Sequence, residues 1–145
     1  MDATQILVQS SIKCTPTRIA VLEQFLESDK AISHSELEDL FGEKYDRVTL
    51  YRTLKTFEDQ GLVHKVYDEN GTVRFNICSH KCSEEKHKDD HVHFHCIECD
   101  SSYCLDDVPV PQVEIPAYLK VHDTYMVVNG TCNQCLNASL TITTL

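Results

Sequence analysis

The sequence predicts an α+β protein whose two halves differ in kind. The first half contains segments with helix-capping residues and apolar side chains three or four positions apart, followed by two strand-like segments joined at Asn70-Gly71. The second half holds two Cys-x-x-Cys pairs and the segment HVHFHC. Helices followed by a hairpin are the order of a winged helix-turn-helix. The paired cysteines are typical of a small metal-binding α/β domain.

The first two predicted helices have clear start signals. Thr15 can cap a helix, and Pro16 suits the first helical position. Ser33 and Glu36 form a capping box for the next helix, which Gly42 ends. Helical spacing relates the apolar residues Ile19, Leu22, Phe25 and Leu26 in the first helix and Leu37, Leu40 and Phe41 in the second. A shorter leading helix is predicted within Met1–Ile12.

A third helix and a hairpin complete the first domain. Asp46 can cap the helix, Gly61 ends it, and its core side is predicted to be Leu50, Leu54 and Phe57. Leu62–Val66 and Thr72–Ile77 are strand-like, and the Asn-Gly turn between them favours a hairpin.

The second half changes character after Ile77. Cys78–Asp90 is polar and charged, which indicates a linker, and His91–Tyr103 alternates like a strand. Three prolines exclude a long helix from Val108–Pro116, and Lys120–Asn129 is predicted as a further strand. The predicted boundaries are residues 1–78 for the first domain, 79–90 for the linker and 91–145 for the second domain.

Composition bounds the setting of the protein. The 145 residues include no apolar run of membrane-spanning length, and Met1–Ser11 lacks the features of a signal peptide, so we expect a cytoplasmic protein without a membrane partner. Eight cysteines in a reducing compartment favour metal binding, whereas in a secreted chain they would predict disulfides. The net charge of −10 argues against nucleic acid binding, but residues 1–67 carry only −3 (8 basic, 11 acidic).

The two Cys-x-x-Cys pairs are the most specific signal in the chain. Two intervening residues let both thiolates of a pair reach one ion, and two pairs complete a closed tetrahedral shell that suits structural zinc. The predicted ligands are Cys96, Cys99, Cys132 and Cys135. A redox role would require one pair to open a helix in a βαβ unit, which the sequence does not support.

Four segments together resemble the ferric uptake regulator family. They are KCTPTR at 13–18, RVTLYRTLKTFEDQGLV at 47–63, HVHFHCIEC at 91–99 and GTCNQC at 130–135. The resemblance covers nearly the whole chain. It implies a homodimeric repressor that binds a palindromic double-stranded DNA operator when its regulatory metal is loaded. Members of the family sense iron, zinc, manganese, nickel or peroxide.

The third helix is the predicted DNA-reading helix. Its periodicity places Thr49, Arg52, Thr53 and Thr56 outward, with Tyr51 and Lys55 flanking them. The resemblance implies that Tyr51 and Arg52 contact bases, that Lys13 approaches the minor groove and that Arg18 meets phosphate. Alternatively, Tyr51 packs in the core, and Arg52 and Lys55 are merely solvated.

A regulatory metal site is predicted around His91 and His93. The two imidazoles share one side of a strand, a good half-site for a divalent ion, although a plain exposed pair has the same spacing. His95 shares that side but immediately precedes Cys96. By resemblance to the zinc uptake regulators, His64 at the start of the wing and Cys78 at its end supply the other two ligands. This softer shell of one thiolate and three imidazoles suits zinc.

An iron or peroxide sensor is the alternative within the family, with iron or manganese as the bound metal. Such relatives usually add a histidine before the second helix and carboxylates elsewhere. Ala31 stands at the first of those positions, with His34 three residues later, while Asn76 and Cys104 stand where acids are expected. These departures favour zinc.

Other readings of the histidines and cysteines stay open. Cys78, His80, Cys82 and His87 form a dense local cluster that is a competing metal site, and the sequence leaves open whether His95, Cys104 or His122 joins a metal site. A zinc enzyme would need an open coordination position and a general base in a recognisable motif, which the sequence lacks, so we expect no enzyme. A zinc-stabilised protein-interaction module remains an alternative from another class.

Overall fold

A computed structural model describes residues 1–68, 70–77, 91–122 and 124–142. The chain divides into two compact units, Met1–His87 and Lys88–Leu145. The predicted linker, 79–90, lies outside the described residues, so the domain boundaries given above remain a prediction.

The first unit begins with four helices: α1 (Ala3–Gln9), α2 (Pro16–Glu27), α3 (His34–Phe41) and α4 (Arg47–Asp59). Each helix is capped by a side-chain oxygen that accepts a backbone N–H three residues on; the caps are Asp2, Thr15, Ser33 and Asp46. The predicted start signals of α2, α3 and α4 are therefore confirmed. Gly42 and Gly61 have φ of +56° and +75°, as helix-ending glycines often do.

The first unit also contains a three-stranded antiparallel sheet. It consists of β1 (Ile32–Ser33), β2 (Val63–Tyr67) and β3 (Val73–Ile77) in the order β1-β3-β2. The predicted hairpin is confirmed, and Gly71 in its turn has φ of +76°. The sequence did not predict β1, because two residues carry no alternation pattern.

An apolar core joins the helices to this sheet. Its side chains come from every helix of the first unit and from the wing, and most are less than 5% exposed. The buried set includes Leu7, Val21, Leu22, Phe25, Leu37, Leu50, Leu54, Phe57 and Val63. The face of α4 opposite to Leu50, Leu54 and Phe57 is consequently turned to solvent.

The second unit is a small sheet followed by one helix. Its strands are β4 (His91–Cys96), β5 (Ser102–Pro109) and β6 (Val127–Gly130), and its helix is α5 (Asn133–Ile142). The central strand β4 pairs antiparallel with β5 and parallel with β6. Gly130 passes close over a ring, since a Cβ there would lie 2.9 Å from Phe94 Cζ.

Two predictions for this unit were wrong. His91–Tyr103 is not one strand, because the turn 97–101 separates β4 from β5 and Asp100 adopts φ of +61° there. The predicted strand Lys120–Asn129 is reduced to Val127–Gly130. Helix α5 was not predicted, because the pattern of the second cysteine pair indicates a ligand turn although the pair lies at the start of a helix.

Candidate metal centres and nucleic-acid interface

The turn after β4 and the start of α5 bring the two cysteine pairs together. Cys96 Sγ lies 3.9 Å from Cys135 Sγ, and Cys99 Sγ lies 3.8 Å from Cys132 Sγ. All four sulfurs lie within 4.8 Å of one another. A tetrahedral zinc shell with bonds of 2.3 Å has sulfur–sulfur edges of about 3.8 Å. The donor set and its spacing therefore fit zinc, which would cross-link β4 to α5.

Hydrogen bonds to the sulfurs prepare this cluster for a cation. Burial opposes ionisation of Cys96, but N–H groups, including the Cys132 amide 3.3 Å away, outweigh it and lower the pKa to about 6. Cys135, in contrast, interacts with Cys132 and has a pKa raised to about 12. Four crowded thiols do not all ionise unaided, and a divalent ion favours the fully deprotonated set.

A second donor cluster lies on the other end of β4. The rings of His91 and His93 are 4.8 Å apart between centroids, on the same side of the strand, as their spacing predicts. Cys104 on β5 is the direct cross-strand partner of His93. One ligand atom from each of the three residues lies within 4.8 Å of the others.

The surroundings of this cluster favour the neutral form of the His93 imidazole, and the strands beside it are irregularly paired. Burial, and secondarily the neighbouring His91, lower the pKa of His93 to about 4, so its ring is neutral at physiological pH and suited to bind metal. The β4–β5 register shifts between His91 and Val92, which places Asp106 near the site. The Asp106 carboxylate lies 3.9 Å from His91 Nε2.

The two other predicted regulatory ligands belong to the first part of the chain. His64 is buried on β2 of the first unit, opposite Asn76 on β3. Cys78 lies outside the described residues, as do the competing ligands His80, Cys82 and His87. The predicted four-ligand set thus remains a prediction.

The remaining histidines have other surroundings. His95 is buried, with Nδ1 3.0 Å from Ser102 Oγ and Nε2 3.1 Å from Asp100 Oδ1, so it braces the turn that carries Cys99. His34 contacts the Arg47 carbonyl at 3.0 Å, at the start of α4. His122 is exposed.

Helix α4 presents a cationic and aromatic face. Tyr51 is 59% exposed and Arg52 is also exposed, so Tyr51 does not pack in the core. Lys13, just before α2, is also exposed. The Arg18 guanidinium contacts this segment, because its Nη1 donates to the Lys13 carbonyl at 2.9 Å. Thr49 is half-buried at the helix start.

One residue of that face was wrongly predicted to point outward. Thr53 is 4% exposed, and its hydroxyl donates to the Thr49 carbonyl at 2.9 Å. A threonine can be buried in this way because the helix backbone satisfies its only polar group. Thr56 makes the same bond to Arg52 but stays half-buried.

Cys104 is the member of the second cluster that sequence reasoning did not assign. The predicted strand ended at Tyr103, and the sequence left open whether Cys104 joins a metal site. The sequence did carry a signal for this residue. Cys104 stands where iron-type relatives are expected to carry an acid, and a thiolate can bind a metal as a carboxylate can. Assigning it required the β4–β5 register, which no local pattern gives.

A winged helix-turn-helix followed by a metal-binding unit defines the class of metal-responsive transcription regulators. The model of the ferric uptake regulator family matches residues 9–124, and the chain belongs to that family. Its members are transcription regulators and not enzymes. The chain is 28% identical over 138 residues to a ferric uptake regulation protein of Staphylococcus aureus, covering 92% of this chain and 96% of that protein. A Staphylococcus epidermidis protein of the same description is 29% identical, with 92% and 94% covered.

Solved structures share the predicted fold. A zinc uptake regulator complexed with zinc and DNA has a TM-score of 0.66 at 21% identity, with 95% of this chain and 93% of that chain covered. The Vibrio cholerae ferric uptake regulator has a TM-score of 0.58 at 24% identity, with 90% and 100% covered. At these identities the likeness confirms the fold class.

No helix within the described ranges is both long and apolar enough to cross a membrane.

Proposed function

We propose that this protein is a zinc-responsive repressor that binds palindromic operator DNA as a homodimer. The observation that carries the zinc assignment is the second donor cluster, in which a thiol stands beside His91 and His93. Thiolate and imidazole ligands favour zinc, whereas carboxylates favour manganese and ferrous ion. A second candidate, an iron sensor, is supported by the description of the staphylococcal relatives as ferric uptake regulation proteins.

The regulatory site joins ligands from both domains. His64 from the wing and Cys78 from its end would complete the shell begun by His91 and His93. A metal bound by both domains favours the arrangement in which all of its ligands meet. Metal binding therefore shifts the population towards one orientation of the DNA-binding domain, which is what a repressor switch requires.

The DNA interface uses α4 and the segment before α2. Tyr51 and Arg52 contact base edges in the major groove, Arg52 through bonds to guanine. Lys13 approaches the minor groove, and Arg18 and Thr49 meet phosphates. Exposure of Tyr51 and the absence of acidic residues from the first turn of α4 support these roles.

Homodimer formation belongs to the second domain, residues 91–145. Its described surface exposes many large apolar side chains, each at least 45% accessible: Val113, Ile115, Tyr118, Leu119, Val121 and Tyr125. Extensive exposure of large apolar side chains is typical of a protein interface. Equilibrium sedimentation of the zinc-loaded chain should give twice the monomer mass; a monomer would contradict this part of the proposal.

Selection from random duplex DNA tests the function directly. Bound sequences would be selected with zinc present, and the enriched duplex would then be titrated with protein plus zinc, ferrous ion or manganese at buffered free concentrations. We expect the enriched duplex to be a palindrome, and we expect zinc to promote protein binding to it at a lower free concentration than ferrous ion or manganese does. In Cys78→Ser, binding to this duplex should no longer depend on zinc. DNA binding that requires less ferrous ion than zinc would establish the iron-sensor candidate. Failure to enrich any sequence would favour a protein-interaction module.

The base-reading role of Arg52 gives a sharper prediction. Arg52→Ala should weaken binding to the selected duplex by about 1–3 kcal/mol, the usual value of a good base contact, and should weaken random DNA much less. The matched control is Lys120→Ala, which removes the same charge from the second unit. Equal losses on both duplexes would show that Arg52 does not read bases.

A further inference from the structure

We propose that Cys104 is a thiolate ligand of the regulatory metal. His91, His93 and Cys104 are then the three donors that the second unit contributes to this site, a set that suits a soft divalent ion such as zinc. The biological meaning of this site rests on the proposed function, but the presence of the ligand does not. Its test therefore needs no DNA.

The pairing of β4 and β5 places the thiol where a ligand is needed. Cys104 lies directly across from His93, and directly opposed residues project on the same side of a sheet. His91 is on that side too, because it is two positions from His93. The ligand atoms of the three residues are within 4.8 Å of one another, the separation at which one ion can contact all three.

A β-bulge adjusts the edge of this cluster. His91 pairs with Pro109 while the next residue, Val92, pairs with Leu105, so β5 carries extra residues opposite the start of β4. Bulges of this kind redirect side chains and are common beside functional sites. Here the bulge holds Asp106, whose carboxylate lies 3.9 Å from His91 Nε2, beyond the distance of a direct hydrogen bond.

The chemistry of the donor set selects the ion. Two imidazoles and one thiolate are softer donors than the same imidazoles with a carboxylate, so the site prefers zinc or cobalt(II) to manganese or ferrous ion. Binding converts the Cys104 thiol to a thiolate and releases its proton to solvent while the sulfur–metal bond forms. Replacing the thiol by a carboxylate should move the preference towards the harder ions.

Cobalt(II) titration of the full chain, with structural zinc already in place, tests the ligand. A thiolate bound to cobalt gives a near-ultraviolet sulfur-to-metal charge-transfer band that an imidazole or a carboxylate does not give. We expect Cys104→Ser to lose a large part of this band and to bind cobalt at least about tenfold more weakly. The matched control, Cys14→Ser, changes a half-buried cysteine of the first unit and should leave both properties unchanged.

A gain-of-preference variant separates ligation from packing. Cys104→Asp restores a carboxylate, and we expect its manganese affinity relative to zinc to rise at least about tenfold over that of wild type. Zinc content of one ion per chain at the cysteine cluster would show that each variant is folded. An unchanged charge-transfer band in Cys104→Ser, with an unchanged zinc-to-manganese preference in Cys104→Asp, would overturn the proposal. Metal binding without any metal-dependent DNA binding would instead contradict the proposed function alone.

Discussion

The two units of the molecule bury different chemistry. The first unit packs a continuous apolar core in which α2, α3, α4 and the wing all take part. Among the described residues of the second unit, the most buried side chains are mainly donors, with Val92 as the apolar exception: Cys96, Cys132, His93, His95 and Ser102. The first unit is therefore stabilised by removal of apolar surface from water, and the second depends on what its sulfur and nitrogen atoms bind.

This difference separates folding from sensing. A unit with an apolar core folds without a ligand and can present α4 at all times. We expect the second unit, whose most buried side chains are mainly of metal-ligand types, to be stable only when an ion is bound, because metal binding can supply the free energy that a core would supply. Regulation can then be placed in the second unit without compromising the fold of the first.

Removal of structural zinc should give the largest effect. Zinc bound to four thiolates contributes on the order of 10–16 kcal/mol, so we expect Cys132→Ser to unfold the second unit and leave the first folded. Hydrogen exchange resolved by segment measures this: amides of β4, β5 and β6 should lose protection, and those of α2 and α4 should keep it. Cys14→Ser is the control. Loss of protection in both units would break the proposed contrast.

A core truncation in the first unit should give the opposite result. Phe57 is fully buried on α4, and Phe57→Ala should lower the free energy of unfolding of the first unit by about 3–5 kcal/mol. Urea unfolding followed by circular dichroism, together with zinc per chain, measures both units. We expect zinc content to stay at the wild-type value. Leu40→Ala on the exposed face of α3 is the control, and zinc loss in Phe57→Ala would show that the units stabilise each other.

The smallest effect concerns the acid in the wing turn. Burial opposes ionisation of Asp68, but N–H groups of Thr72 and Asn70, each 2.9 Å away, and the Arg74 guanidinium hold its pKa below 3.8. The charged form therefore stabilises the folded state above pH 3.8, and this stability is lost as pH falls through the lowered pKa. Asp68→Asn should cost about 1–3 kcal/mol at neutral pH.

The pH profile and a surface control complete that test. Unfolding of Asp68→Asn should depend less on pH below about 4 than unfolding of wild type, since one shifted carboxyl is removed. Asp59→Asn is the control, because the Asp59–Lys55 pair is exposed and contributes little. Parallel acid profiles for wild type and Asp68→Asn would show that Asp68 does not contribute this stability.

Local sequence signals predicted the first unit well. Caps at Thr15, Ser33 and Asp46 and the Asn-Gly turn act within a few residues, so they can be recognised without knowing the fold. Thr53 was misplaced because its hydroxyl bonds to the backbone, which periodicity does not register. The two-residue β1 exists only through its pairing with β3.

The second unit was less predictable because distant pairing determines it. Each Cys-x-x-Cys pair is a local signal that supplies half of a tetrahedral zinc shell, so the sequence predicted that the two pairs would meet. The turn 97–101 has neither glycine nor proline, so the sequence predicts one strand where the structure has β4 and β5, and no local pattern sets Cys104 beside His93. Helix α5 was missed because the second cysteine pair, whose pattern indicates a ligand turn, lies at the start of this helix.

The parallel pairing of β4 with β6 has a consequence for the order of folding. This pairing sets Cys96 beside Gly130, although 32 residues lie between the two cysteine pairs. Closing a loop of that length costs conformational entropy, and the described part of the unit buries few apolar side chains that could hold the loop closed. Because zinc bound by both pairs is what would hold this loop closed, we expect the second unit to mature faster as the zinc supply rises. The first unit, built from neighbouring helices and a hairpin, would complete its folding at the same speed in metal-poor and metal-rich cells.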